Sequence, residues 1–136
     1  MTAMAPFISP ALFTELACAA RATPGLRLLL LFGSRARSDA QPDSDWDFGY
    51  LAEPHLDLPA LLSVIVETIG SDRVDLVDLG RAGGLLRYRA ARDGQVVYEV
   101  RPRVAEQFRL EAAQFWCDAA PVIERGYDDV LAGLKP

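Results

Sequence analysis

Two aspartates separated by one residue, Asp45 and Asp47, are the side chains whose spacing most directly suggests chemistry. Residues i and i+2 of a β-strand project from the same face, so both carboxylates would lie side by side in an extended segment. Neighbouring carboxylates repel each other unless a cation lies between them, and hard oxygen ligands of this kind suit Mg²⁺. Taken alone, however, the Asp-x-Asp pattern is more typical of two solvated acids on an edge strand.

A Gly-Ser pair precedes the aspartates and follows a short apolar run, Leu28–Phe32, that is typical of a strand covered on both faces. Glycine lets the backbone approach a ligand closely, and successive N–H groups at such a turn can cradle a phosphate. The Ser34 hydroxyl would contact a phosphate oxygen, and Arg35 and Arg37 would offset phosphate charge. The ordinary interpretations are a turn-forming serine and a solvent-exposed basic pair.

Gly33, Ser34, Asp45 and Asp47 together match the pattern GS-x10-DxD. On these residues the chain resembles the nucleotidyltransferase superfamily that includes DNA polymerase beta. Its short form, GSRAR…SDWDF, is similar to the minimal nucleotidyltransferase (MNT) antitoxins, which are paired with HEPN-domain ribonuclease toxins. The resemblance covers about residues 28–100 and implies the minimal nucleotidyltransferase fold, with its site at one end of a sheet.

The resemblance also implies a third carboxylate on a neighbouring strand, as a ligand of a second metal ion and as a base toward the attacking hydroxyl. The segment RVDLVDL offers Asp75 and Asp78, which are three residues apart and therefore face opposite sides of a strand. The family pattern, an apolar residue followed by Asp, matches Val74-Asp75 and favours Asp75. Asp78 would then be a solvated or capping group if the strand register is as expected, and Asp72 is a weaker alternative.

The activity that the resemblance implies is transfer of AMP from ATP to a hydroxyl, expected to be a tyrosine of a cognate HEPN toxin, which this antitoxin would neutralise. Such a reaction needs in-line attack at the α-phosphorus, and two divalent cations roughly 3.5–4 Å apart can clamp the attacking and leaving oxygens. We therefore expect a protein adenylyltransferase with two Mg²⁺ ions. Its catalytic and metal-binding residues would be Asp45, Asp47 and Asp75, and its nucleotide-binding residues Gly33, Ser34, Arg35 and Arg37.

Two other hypotheses remain open. A non-catalytic antitoxin could inhibit its toxin by direct binding, because the chain is small and a family motif need not imply retained activity. Transfer to a small molecule such as an aminoglycoside is a weaker hypothesis, because the enzymes of that kind usually carry an extra substrate-binding domain.

Several other chemically capable side chains have ordinary interpretations. Asp39 and Asp43 lie in a predicted loop and are expected to be solvated, although Asp43 shares the parity of Asp45 and stays open as a ligand. His55 is the only histidine and has no ligand partner at a suitable spacing. Cys18 and Cys117 form no CxxC pair and are interpreted as reduced core thiols.

The elements that must position these side chains alternate between helix and strand, which predicts an α/β (α+β) fold with a small mixed sheet of about four strands and flanking helices. The expected strands cover residues 27–32, 45–52, 73–79 and 95–100, the last at an edge. The expected helices begin at Ser9-Pro10, Gly33, Pro59, Leu85 and Pro102, and Phe108, Ala112, Phe115 and Trp116 would share one side of the last helix.

Length and composition bound the remaining possibilities. The 136 residues, 51% hydrophobic and 24% charged, predict one globular domain, 1–136, with a catalytic core at about 10–100 and a C-terminal helical extension at about 102–134. The net charge of −5 argues against broad binding to nucleic acid. No signal peptide or membrane-spanning run is indicated, so a cytoplasmic protein is expected.

Overall fold

The computed structural model describes residues 9–36 and 44–117. The elements in chain order are α1 (Pro10–Arg21), β1 (Leu26–Phe32), a 3₁₀ turn (Gly33–Arg35), β2 (Trp46–Ala52), α2 (Leu58–Ile69), β3 (Val74–Asp78), α3 (Gly84–Asp93) and β4 (Gln95–Glu99). A further helix, α4, covers residues 104–117. The part of the predicted C-terminal helical extension beyond residue 117 lies outside the described residues.

The four strands form one mixed sheet in the order β3-β2-β1-β4. β1 pairs antiparallel with both β2 and β4, whereas β2 and β3 are parallel and are connected through α2. β4 is an edge strand, as its sequence predicted. The expectation of an α+β fold with about four strands and flanking helices is confirmed.

Helices α1 and α2 cover one face of the sheet. α1 begins at Ser9, whose Oγ accepts a hydrogen bond from the Leu12 N–H at 3.1 Å, with Pro10 in the first turn. α2 ends at Gly70, which has φ +80° and so adopts the left-handed conformation that stops a helix. The buried residues of this layer are Leu16, Ala20, Leu26, Leu29, Leu31, Ala36, Trp46, Phe48, Tyr50, Leu61, Ile65 and Val97.

Helices α3 and α4 cover the other face. The buried residues of this second layer are Leu28, Leu30, Phe32, Leu79, Ala90, Val104, Ala105, Phe108 and Ala112. Gly49 of β2 faces this side, and a Cβ there would approach the Leu79 side chain to 2.8 Å. The missing side chain at Gly49 therefore lets the fully buried Leu79 lie directly on β2.

Three sequence predictions about these helices need correction. Cys18 and Cys117 are free but exposed, so the interpretation as core thiols is wrong. Cys18 is two positions from both Leu16 and Ala20, and about 3.6 residues per turn places it on the opposite side of α1. Phe115 is 51% exposed and lies outside the buried stripe of α4, although its ring contacts the backbone at Gly84. The helix expected to begin at Gly33 is a 3₁₀ turn at Gly33–Arg35, and residues 37–43 lie outside the described part of the chain.

Candidate functional site

The strand pairing brings two of the predicted aspartates together. Asp47 on β2 is paired in register with Asp75 on β3, and Phe32 at the end of β1 is paired with Asp47. Residues paired across neighbouring strands share a face of the sheet. Phe32 belongs to the layer of α3 and α4, so Asp47 and Asp75 lie on that face, at the end of the sheet where β1 ends and β2 begins.

Gly33 lies directly against Asp47. Its φ is +75°, and a Cβ built on it would collide with Oδ2 of Asp47. Glycine is therefore required here for two reasons: the left-handed backbone and the space that the carboxylate occupies. Ser34 follows in the same 3₁₀ turn and is partly buried, so the Gly-Ser turn and Asp47 form one local unit.

Asp45 precedes β2 by one residue and is exposed, while Asp47 is partly buried and Asp75 is exposed. All three are oxygen donors, the type of ligand that Mg²⁺ prefers. Among the described residues, however, no group of three or more His, Cys, Asp or Glu side chains is already close enough together to hold a metal ion. The donor chemistry and the strand register therefore fit a divalent cation, whereas the present side-chain positions do not form a closed ligand set.

Asp78 lies on the opposite face from Asp75. Its Oδ1 accepts a hydrogen bond from the Gly80 N–H at 2.9 Å, and its Oδ2 lies 3.9 Å from Nε of Arg81. Burial raises the pKa of Tyr50, and the negative charge of Asp78 raises it further. Because Tyr50 belongs to the layer of α1 and α2, this coupling places Asp78 on that side of the sheet. The prediction that Asp78 caps a turn is confirmed.

Arg35 contacts the beginning of the second strand and the residue two positions before it. Its Nη2 donates to the carbonyl of Ser44 at 2.8 Å, and its guanidinium carbon lies 4.3 Å from the centroid of the Trp46 ring. Trp46 is 8% exposed and faces α1 and α2, as expected for a core residue. Arg35 therefore joins the two ends of the loop between the Gly-Ser turn and β2.

A cavity of about 420 Å³ adjoins the Gly-Ser turn, and it contains basic residues that sequence analysis did not select. It is lined by Phe32, Gly33, Leu86, Arg89, Arg92 and Asp93. Arg92 makes two hydrogen bonds of 2.9 Å to Asp93, which raise its pKa, whereas Arg89 is exposed. The sequence signal was the run LRYRAARD, but only the position of α3 shows that Arg89 lies near Gly33.

The remaining candidates lie away from this arrangement or outside the described residues. Arg37, Asp39 and Asp43 lie outside the described residues. Asp72 is exposed and precedes β3. His55 is exposed and lies beside Gly25, far along the chain from the Gly-Ser turn.

Comparison with known proteins gives a family match that spans the Gly-Ser turn and the three aspartates. Residues 15–103 match the family described as Polymerase beta, Nucleotidyltransferase. The protein adenylyltransferase MntA of Aphanizomenon flos-aquae (strain 2012/KM1/D3) is 36% identical over an alignment of 89 residues, and the match covers 56% of this chain and 59% of that protein. The match thus spans less than two thirds of the length of this relative.

Two solved structures have a similar fold over nearly their whole chains. One is a chain of a crystal structure of a toxin–antitoxin with AMP-PNP, at 27% identity and a TM-score of 0.73, covering 88% of this chain and 98% of that chain. The other comes from a tri-AMPylated Shewanella oneidensis HEPN toxin in complex with MNT antitoxin, at 26% identity and a TM-score of 0.68, covering 89% and 97%. Among the residues that the structure describes, no helix has the length and apolar character needed to cross a membrane.

Proposed function

The chain belongs to the polymerase beta nucleotidyltransferase family, and we propose that it is a protein adenylyltransferase that transfers AMP from ATP to a hydroxyl of a cognate HEPN toxin. The observation that carries the proposal is the in-register pair of Asp47 and Asp75 beside the Gly33 turn. A phosphate-binding turn next to paired carboxylates is the combination that nucleotidyl transfer requires.

The three carboxylates have distinct roles in this proposal. Asp45, Asp47 and Asp75 would hold two Mg²⁺ ions, which supply charge neutralisation at the α-phosphate and at the leaving pyrophosphate. Asp75 would also accept the proton of the attacking hydroxyl, because it lies beside Asp47 and is open to solvent.

The Gly-Ser turn and the basic side chains near it would hold the triphosphate. Backbone N–H groups at Gly33 and Ser34 can donate to phosphate oxygens, since no side chain at Gly33 obstructs their approach. Arg89 lines the adjoining cavity and would offset phosphate charge, and Arg37 keeps the same predicted role. Arg35 would also offset phosphate charge, and its contacts with Ser44 and Trp46 would hold the start of β2 beside the Gly-Ser turn.

The bond changes follow from this arrangement. The acceptor oxygen attacks the α-phosphorus of ATP, and a new O–P bond forms as the bond between the α-phosphorus and the bridging oxygen breaks. The hydroxyl proton passes to Asp75, and pyrophosphate leaves with the bridging oxygen. The products are the AMP-modified hydroxyl and pyrophosphate, with no oxidation or reduction.

The identity of the acceptor rests on the relatives. The fold neighbours include an MNT antitoxin in complex with a tri-AMPylated HEPN toxin and a toxin–antitoxin structure with AMP-PNP. By analogy, we propose a tyrosine of the partner toxin as acceptor, ATP as donor and the cytoplasm as the site of action. We also propose that residues 1–136 form a single nucleotidyltransferase domain in which about 102–134 is a helical extension.

Labelled ATP provides the direct test. Purified protein, Mg²⁺, ATP labelled on the α-phosphate and the cognate toxin should give labelled toxin, and ATP labelled on the γ-phosphate should not. Asp45→Ala combined with Asp47→Ala should remove the label. Undiminished labelling by this double variant would reject the assigned site.

The alternative of a binding antitoxin rests on the small size of the chain, since a family motif need not imply retained activity. The two functions separate in cells that express the toxin. If the Asp45→Ala, Asp47→Ala variant protects at normal expression as well as the unaltered protein, neutralisation occurs by binding. If protection is lost while the variant still co-purifies with the toxin, transfer of AMP is the neutralising step.

A further inference from the structure

A second basic cavity lies at the other end of the sheet. It has a volume of about 480 Å³ and is lined by Arg27, Leu51, Gly80, Arg87, Arg101, Pro102, Arg103, Val104, Gln107, Phe108 and Glu111. Leu51 is four residues beyond Asp47 on β2, so the cavity is roughly 13 Å along the strand from the carboxylate pair. Leu79 fills the surface between them, because it covers Gly49.

The lining contains four arginines and one carboxylate, although the whole chain carries a net charge of −5. The carboxylate is Glu111, and its Oε1 accepts a hydrogen bond from Nε2 of Gln107 at 2.9 Å. Arg27 has only a loose ion pair, with its Nε 3.8 Å from Oε1 of Glu53. The positive charge of the cavity is therefore locally concentrated and poorly compensated.

Arg87 supplies the observation that points most directly to a ligand. Its Nε is completely buried and has no hydrogen-bond partner, while its guanidinium lies 5.5 Å from the centroid of the Phe108 ring. A buried donor without an acceptor is rare in native structures and marks a place where a partner is missing. The cation–π contact with Phe108 holds the Arg87 guanidinium near the edge of the cavity that both residues line.

Arg109, which has a structural role, differs from the cavity arginines in its hydrogen bonds. Arg109 donates to the carbonyls of Ala91 at 3.2 Å and Gly94 at 2.7 Å, so its guanidinium is used to hold the end of α3. Within residues 9–36 and 44–117, the exposed side chains of Arg101 and Arg103 have no such acceptor. The cavity arginines are thus available for a ligand in a way that Arg109 is not.

The backbone around α4 supports the same interpretation. Arg103 has φ +75°, a left-handed conformation that side-chain-bearing residues seldom adopt, and it directly precedes α4. Strain of this kind is concentrated at ligand-binding segments. One N–H at the start of α4, that of Ala105, is already bonded to Oε1 of Glu99 at 3.1 Å, so the arginines rather than the helix end would supply the main attraction.

We propose that this arginine-lined cavity binds a phosphate-bearing small molecule of nucleotide size, at a site separate from the carboxylates. Guanidinium groups bind phosphate oxygens through paired, charge-assisted hydrogen bonds. The volume lies within the range of small-molecule sites, and Leu51 and Phe108 offer apolar surface beside the cationic groups. The proposal does not depend on whether the chain transfers AMP.

Calorimetric titration with pyrophosphate and with AMP, at low salt and with EDTA to prevent metal-dependent binding, tests the site. Each arginine that bonds a phosphate should contribute at least about tenfold in affinity. We expect binding of one or both probes, weakened at least about tenfold by Arg87→Gln and by Arg101→Gln with Arg103→Gln. Arg73→Gln removes the same charge from an exposed position just before β3, at the opposite end of the sheet, and should leave the affinity unchanged.

Three results would overturn the proposal. One is the absence of binding by either probe at millimolar concentration. Another is binding that neither arginine variant weakens, since the anion would then lie elsewhere. The third is binding of a single-stranded oligonucleotide, with no binding of pyrophosphate or AMP, which would assign the surface to nucleic acid. If Arg87→Gln lowers the melting temperature, the variant with Arg101→Gln and Arg103→Gln still tests the site, because both of those side chains are exposed.

Discussion

Asp47 on β2 and Asp75 on β3 are directly paired across a parallel strand interface, so their side chains leave the same face of the sheet next to each other. Asp78, three residues further along β3, leaves the opposite face and caps the turn at Gly80. Asp75 and Asp78 are nearly equivalent in the sequence, but the strand register places them on opposite faces of the sheet, and only Asp75 lies beside Asp47.

Replacing each aspartate in turn tests this assignment. Asp75→Asn should lower the rate of AMP transfer by about 10²–10⁴-fold, the usual contribution of a general base. Asp78→Asn should change the rate less than about threefold, because its carboxylate faces Tyr50. Initial rates of label incorporation measure both, with melting temperatures as a control for folding. Equal losses in the two variants would contradict the register-based assignment.

Gly33→Ala should impair both stability and transfer. An L-residue in the left-handed region costs about 1–2 kcal/mol, and here the added methyl group would also displace the Asp47 carboxylate. We expect the free energy of unfolding to fall by more than the backbone cost alone and the transfer rate to fall at least tenfold. Chemical denaturation and initial-rate measurements give the two quantities.

Gly70→Ala is the matched control, because Gly70 also has a positive φ but a Cβ there would meet nothing within 4 Å. Gly70→Ala should lower the free energy of unfolding only by the cost of placing alanine in the left-handed conformation, about 1–2 kcal/mol, and it should leave the transfer rate unchanged. If Gly33→Ala behaves like Gly70→Ala in both measurements, the contact with Asp47 has no role in holding the site.

Local sequence patterns predicted most of the elements, because short apolar runs bounded by glycine, proline and aspartate specify strands and helix ends without long-range information. Ser9 at the start of α1 and Gly70 at the end of α2 are examples in which the residue type alone determines the boundary. The register between β2 and β3 is different. The sequence showed that Asp75 and Asp78 face opposite sides, but only the pairing with Asp47 shows which one faces the site.

Contacts between elements that are distant in the chain were not predictable from local patterns. The contact of Arg35 with Trp46 joins residues eleven positions apart, and no local pattern indicates it, whereas its predicted contact with a phosphate stays a prediction. Arg89 was not selected because nothing in the run LRYRAARD indicates which face of α3 adjoins Gly33. The exposed positions of Cys18 and Phe115 were misjudged because apolar character was given more weight than their angular position on the helix.

The ionisation of Tyr50 offers a test that does not require activity. Its pKa is raised above the ordinary value of 10.0, first by burial and then by Asp78. Asp78→Asn should therefore lower this pKa, whereas Asp75→Asn, on the other face, should leave it unchanged. The ultraviolet absorbance of tyrosinate during an alkaline titration, with Tyr50→Phe subtracted, measures the shift. If Asp75→Asn shifts the pKa of Tyr50 more than Asp78→Asn does, the register assigned between β2 and β3 is wrong.

The raised pKa of Tyr50 also makes the free energy of unfolding depend on pH. Because the pKa in the folded state is higher than in the unfolded state, the unfolded chain loses its proton first as the pH rises. The stabilising contribution is complete below pH 10.0 and declines as the pH rises through the folded-state pKa. Urea unfolding across this pH range measures the effect. The free energy of unfolding should fall more steeply with pH for the unaltered protein than for Tyr50→Phe.

Arg35 and Trp46 should behave as a coupled pair that holds the start of β2 against the Gly-Ser turn. The guanidinium stacks on the indole ring and bonds the Ser44 carbonyl, which a lysine cannot reproduce with the same planar geometry. Arg35→Lys should therefore lower the free energy of unfolding by about 1–3 kcal/mol although it preserves the charge. A double-mutant cycle with Trp46→Leu should give a coupling energy of about 0.5–1 kcal/mol or more. If Arg35 instead contacts a phosphate directly, Arg35→Lys would raise the KM for ATP with little change in unfolding, and the cycle would show no coupling.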